Sequence, residues 1–178
     1  MIQNEPYTLE INGLIKQKLE DGLEIWLKVN GISMVPFLQA GDKVLVKKNN
    51  NQGIGIGDLC LFENMNILYT HRLIVEENER FLFKGDHNPY PDNWFTQKQV
   101  WGKIVRVDKG NRIWNLESTN WRLINGILGW IQKPAIIFYK MVHFKEDMNL
   151  DANKLANIII RKCNGLFNLL ERIMIFGR

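Results

Sequence analysis

The chain has 178 residues, enough for one domain with its own core plus an appendage, and 46% of them are hydrophobic, the share of an ordinary soluble globular protein. The formal net charge of +4 is unevenly placed: from residue 120 onward nine Lys or Arg stand against four acids, a local excess of +5, and the remainder carries −1. Two cysteines are too few for a disulfide framework, and no basic start leads into an apolar stretch and small-residue cleavage site, so a secretory leader is not expected and a cytoplasmic or peripheral membrane address is.

Residues 8 to 27 pattern as an amphipathic helix. Leu9, Leu14, Ile15, Leu19, Leu23 and Trp26 recur at spacings of three to five, and Gly22 interrupts the run. Glu5, Glu10, Lys16, Lys18, Glu20, Asp21 and Glu24 break it far short of the about 20 apolar residues that span a bilayer. Six short strands come next, rich in β-branched and aromatic residues and separated by Gly, Asn and Asp: residues 26–29, 43–47, 59–62, 68–75, 81–84 and 100–107. Their regular spacing predicts an all-β core of the sandwich or barrel kind. Asn49 to Gly53 reads as a polar loop, and His87 to Asn93, with two prolines, as neither helix interior nor central strand.

From residue 117 the pattern is helical again. Trp121, Leu123, Ile124, Ile127, Leu128 and Ile131 precede Pro134, which should kink or end that helix. Asp151 is placed to cap a last helix reaching about Ile175, with Leu155, Ile158, Ile159, Leu166, Leu169, Leu170 and Ile173 as its apolar stripe. The division expected is a helical segment over 1–26, a β domain over 27–116 and a basic helical tail over 117–178. The tail's charge, with Trp121 and Trp130, suits peripheral contact with an anionic membrane surface; helices packed on the β domain are the plainer alternative.

Three polar clusters carry the chemistry. Gly31-Ile32-Ser33-Met34-Val35-Pro36 leads to Gly41-Asp42; Thr70-His71-Arg72 lies on a strand; Lys84-Gly85-Asp86-His87-Asn88 is followed by Asp92. Serine, histidine and aspartate in that order supply a nucleophile, a base and an orienting acid, the minimum for acyl transfer. An imidazole, with an ordinary pKa of about 6.5, suits proton transfer at neutral pH. Asp92 and Asp86 compete for the orienting role, with Asp86 expected to accept backbone N–H bonds in its turn. The backbone N–H of Ser33 is the candidate oxyanion donor, with Gly31 allowing close approach. His87 is expected on the surface, His143 outside the chemistry, and Cys60 as a small buried hydrophobe. The histidines and cysteines show no metal-ligand spacing, and Gly53-Ile54-Gly55-Ile56-Gly57 lacks the Lys-Ser/Thr ending of a phosphate loop, so no metal, cofactor or nucleic acid is expected.

These boxes resemble the signal peptidase I family, related to LexA-type peptidases. The resemblance runs through Ser33-Met34-Val35-Pro36, Gly41-Asp42-Lys43-Val44, Ile56-Gly57-Asp58-Leu59, His71-Arg72, Gly85-Asp86-His87-Asn88 and Val100-Trp101-Gly102, over roughly residues 27 to 108. A histidine followed by arginine where other relatives have a lysine base resembles the endoplasmic-reticulum-type branch, and Asp92 falls six residues after Asp86, as that branch places its orienting aspartate. The resemblance implies a coiled, partly open β-sheet domain and a serine endopeptidase. Ser33, His71 and Asp92 would be catalytic, and Gly31, Met34, Pro36 and Asp86 would support them. The substrate would be a peptide or precursor protein, held extended at a strand edge, with small side chains in shallow pockets and a leader or signal segment removed. Ile32 stands where relatives have a small residue, and Pro91 replaces a second carboxylate. The competing readings are a catalytically silent peptide-binding or regulatory module on the same fold and a self-cleaving repressor relative; for the latter the first 28 residues are short and the base is not lysine.

Overall fold

The computed structural model describes residues 6–48 and 53–143, together with positions 161, 165 and 169. Helix α1 (Pro6–Glu20) is followed by β1 (Ile25–Lys28), β2 (Lys43–Lys48), β3 (Leu59–Asn64), β4 (Ile67–Glu77), β5 (Arg80–Lys84), β6 (Trp94–Thr96), a 3-10 turn at Gln97–Gln99, β7 (Val100–Asp108), β8 (Ile113–Asn115) and helix α2 (Thr119–His143). The strands form one curled, wholly antiparallel sheet in the order β1-β2-β7-β3-β4-β5-β6, with β8 added on β7. The expected architecture, mainly β with a short N-terminal helix and a C-terminal helix, is the one found. Among the described residues no helix is long and apolar enough to cross a membrane.

All six expected strands are present, and two further ones, β6 and β8, are each three residues long, too short for period-two alternation to mark them. Register shifts between Leu45 and Val46, Leu61 and Phe62, and Leu73 and Val75 are the irregularities that bend the sheet. Where β7 crosses β2, a side chain on Gly102 would stand 2.5 Å from the Lys47 carbonyl, so only glycine fits that approach.

Two corrections concern the helices. The apolar spacing predicts a first helix reaching residue 27, but it stops at Glu20. Gly22 adopts φ +80, its N–H donates to the Leu19 carbonyl (3.0 Å), and the Leu23 N–H donates to the Lys18 carbonyl (3.0 Å), which closes the helix in a Schellman turn. The face α1 buries is also narrower than the apolar stripe. Asn12 and Leu19 are buried and Ile15 is half-buried, while Leu9, Ile11, Leu14, Leu23 and Trp26 are exposed. Pro134 predicts a kink or an end in the second helix; α2 runs through it to His143. The expected cap at Asp151 and the stripe from Leu155 lie outside the described residues, apart from the helical, exposed positions Arg161, Gly165 and Leu169.

The core divides by the faces of β4. Successive residues of a strand point to opposite sides. Tyr69 and Leu73 join an aromatic cluster with Phe62, Phe81, Phe83 and Phe95, and His71, 2% exposed, lies among them, its ring 5.8 Å from that of Phe62. Leu68 belongs to the larger core under α1 and α2, where Phe37, Leu38, Val44, Leu61, Ile104 and Leu128 are packed. The Arg72 guanidinium, also on that side, lies 5.0 Å from the Phe37 ring centre.

Arg72 is completely buried and binds three elements at once. Its Nε and Nη2 donate to the two carboxylate oxygens of Asp86 (2.9 and 2.7 Å), and its Nη1 donates to the Gly57 carbonyl and to Asn125 Oδ1 of α2 (2.9 Å each). Gln132, one helical face further along α2, donates from Nε2 to Asp86 (2.8 Å). Asp86 therefore takes side-chain donors in place of the backbone N–H bonds expected for it. Helix α2 comes this close because its partner is glycine: a Cβ on Gly57, which has φ +96, would stand 2.0 Å from the Asn125 carbonyl oxygen, and one on Gly129 would stand 2.7 Å from the Gly57 nitrogen.

The junction sets two stability outcomes. Asp86→Asn strands a buried guanidinium, a loss on the order of 3–5 kcal/mol, which in a domain of this size lowers Tm by on the order of 10 °C in thermal unfolding. Gly57→Ala, which must displace α2 backbone and adopt a left-handed φ, loses about 2 kcal/mol or more, whereas Gly13→Ala, in open space on α1, leaves Tm unchanged or raises it.

Candidate functional site

Ser33 sits in the segment between β1 and β2, and the residues just after the serine fix that segment in place. Met34, Pro36, Phe37 and Leu38 are buried, the Val35–Pro36 peptide is cis, and the Val35 and Leu38 N–H groups donate to the Ile32 and Met34 carbonyls (3.1 and 2.8 Å). Asp42 closes the far end. It accepts from the Gln39 N–H (2.7 Å) and from Lys109 Nζ (2.6 Å), and the same ammonium donates to the Phe37 carbonyl (2.5 Å). Met34 and Pro36 thus anchor the loop through burial. Gly31 lines the open cleft, and a Cβ there would meet nothing within 4 Å, so the closeness expected of it is not to this chain's own atoms.

The turn after β5 is locked to the serine loop by backbone. The His87 N–H donates to the Ser33 carbonyl (2.8 Å), and a side chain on Gly85 would lie 2.7 Å from that oxygen. Asn88 N–H donates to the Gly85 carbonyl (3.0 Å), and Asp92 N–H to the Phe83 carbonyl (2.8 Å), which returns the chain alongside β5. The His87 ring is exposed, as expected.

These constraints bring three side chains into line from separate elements. Ser33 Oγ is 2.8 Å from His71 Nε2, and His71 Nδ1 is 2.6 Å from Asp92 Oδ2. A carboxylate only accepts, so the ring donates its Nδ1–H to Asp92, and Nε2 is left to accept from the serine hydroxyl. The His71 side chain is 3% exposed and that of Asp92 23%, so the imidazole is shielded while the carboxylate keeps contact with water. Of the two competing aspartates it is Asp92 that meets the ring; Asp86 is held by Arg72 and Gln132. An arrangement of this kind can take a proton from a hydroxyl and return it to a leaving group.

Cys60 lies opposite His71 across the β3–β4 ladder but is not a rival nucleophile. It is fully buried, and burial first, with Asp58 second, pushes its thiol well above the usual range, against a smaller opposing effect of Lys103. This agrees with its expected part as a buried hydrophobe; Cys163 lies outside the described residues. Among the described residues no group of three His, Cys, Asp or Glu is placed to hold a metal ion.

Ser33 opens onto a cleft of about 530 Å³, walled by residues of α1, β1, β3 and β4. Beyond the Ser-His-Asp set, the sequence alone assigns Lys109, Asn125 and Gln132 no part in holding the site. Asn125 and Gln132 do carry a signal, since they are polar positions inside the apolar stretch of a helix.

No curated protein matches the chain. The family described as Peptidase S24-like matches residues 5–105, more than half of the sequence, from α1 into β7 and including Ser33, His71, Asp86 and Asp92. The chain belongs to the Peptidase S24-like family, within the superfamily of LexA-type and signal peptidases.

Proposed function

We propose that this protein is a serine endopeptidase in which Ser33 attacks the peptide carbonyl, His71 takes and returns the proton, and Asp92 orients the imidazole. The observation that carries this reading is the continuous line from Ser33 Oγ to His71 Nε2 (2.8 Å) and from Nδ1 to Asp92 (2.6 Å), at the rim of a cleft. Family membership supports serine peptidase chemistry in general. The histidine base assigns the chain to the endoplasmic-reticulum-type pattern of the signal peptidases.

In the first half-reaction the Oγ–C bond forms as the hydroxyl proton moves to Nε2, and the oxyanion is met by the Ser33 backbone N–H. The imidazolium so formed faces the Asp92 carboxylate and then gives its proton to the departing amine. Water repeats the sequence on the acyl-enzyme. The substrate is a peptide or a precursor protein from which a leader segment is removed, laid extended along the free edge of β1. The C-terminal basic helices would bring the site to a membrane surface on which such precursors lie.

Cleavage of a mixed peptide library, followed by mass spectrometry of new N-termini, tests this. Wild type generates new termini with a shared motif. Ser33→Ala and His71→Ala each lower the rate by at least about 10³-fold, and the double variant is little worse because the two act as a unit. Asp92→Asn lowers turnover by about 10²-fold or more, while its thermal transition moves less than that of Asp86→Asn. Equal cleavage by wild type and Ser33→Ala rejects the assignment.

A further inference from the structure

The cleft beside Ser33 is larger and more apolar than the shallow pockets that suit small side chains. Its volume of about 530 Å³ lies within the range of about 300–1,000 Å³ typical of sites that engulf a whole ligand. Leu38, Val44 and Leu61 form a buried aliphatic floor. Ile15, Leu27 and Leu68 form walls that are only half-buried, so apolar surface is open to water in the free protein. Lys28 is the single charged residue on the lining, and the polar groups gather at the mouth with Ser33, Asn30 and Thr70.

Resting on the peptidase reading, we infer that this cleft selects a bulky aliphatic side chain on the residue whose carbonyl Ser33 attacks, and that Ile15 of α1 is a specificity-determining wall. The side chain of that residue branches from the carbon next to the attacked carbonyl. Of all substrate side chains it is therefore held closest to Ser33, and the concavity that Ser33 borders is the space it enters. Alanine there would leave the aliphatic walls wet. Leucine adds three carbons, and each methylene buried is worth about four-fold in affinity, so a preference of about 60-fold is expected at full burial and at least about 10-fold in a cleft open at its mouth. Helix α1, whose apolar positions would otherwise serve only packing, thereby forms part of the substrate site.

Peptide boronic acids test the pocket and the nucleophile separately. The Ser33 oxygen adds to boron, an O–B bond forms with no leaving group, the boron becomes tetrahedral and anionic, and the hydroxyl proton passes to His71. Calorimetric titration would compare two acetylated tetrapeptides, Ala-Ala-Ala-boroAla and Ala-Ala-Ala-boroLeu. The leucine compound should bind wild type at least about 10-fold more tightly, both should weaken sharply on Ser33→Ala, and Ile15→Phe, which fills the cleft, should cut the preference while sparing the alanine compound. If Ser33→Ala weakens both but alanine binds wild type as tightly as leucine, the pocket inference is overturned and the peptidase reading stands. If Ser33→Ala binds both as wild type does, the nucleophile is misassigned and the inference falls with it. A leucine preference unchanged in folded Ile15→Phe removes α1 from the site.

Discussion

The Arg72–Asp86 pair is the interaction on which the rest of the molecule depends. Two opposite charges with no exposed surface are tolerable only when nearly every donor and acceptor is used. Here the guanidinium fork meets both carboxylate oxygens, the Gly57 carbonyl and Asn125, and the carboxylate also receives Gln132. The pair joins the β4 strand, the turn after β5 and helix α2. Because Arg72 is next to His71 in β4, and Asp86 precedes the residue whose N–H holds the Ser33 carbonyl, fixing the pair fixes the base and the serine loop relative to each other.

That arrangement separates two demands. On one face of β4 a histidine sits among aromatic rings and keeps its two nitrogens for Ser33 and Asp92. On the other face an ion pair carries the structural load. Asp92, partly open to water, can respond to charge on the ring, whereas Asp86, sealed by Arg72, cannot reach it. The two aspartates six residues apart are thus distinguished by environment rather than by residue type.

Much of this was legible in the sequence. The strands with alternating β-branched and aromatic residues fell within two or three residues of their expected bounds, and the order Ser33, His71, Asp92 matches the order of the boxes. What was not legible was non-local. Asn125 and Gln132 lie far from Arg72 and Asp86 in the chain, so no local pattern reveals that a helix interrupts its apolar run to reach a buried charge. Residues 21 to 27 read as a continuation of α1 because Leu23 and Trp26 keep roughly the helical spacing, yet a left-handed Gly22 and the demand of β1 for a partner in β2 take precedence. Helix α2 passes Pro134 although the ring removes one N–H donor, which is what a local rule cannot foresee when packing on the first half of the helix supplies the stability.

The central claim is that Ser33 is a nucleophile activated by His71. It is tested most directly by treating the folded protein with a fluorophosphonate and locating the adduct by peptide mass spectrometry. The Ser33 oxygen displaces fluoride at phosphorus as its proton leaves through His71, so one adduct on Ser33 is predicted, formed in wild type and lost in His71→Ala. Labelling that falls on other hydroxyls, or that proceeds on Ser33 at the same rate without the imidazole, would contradict the account.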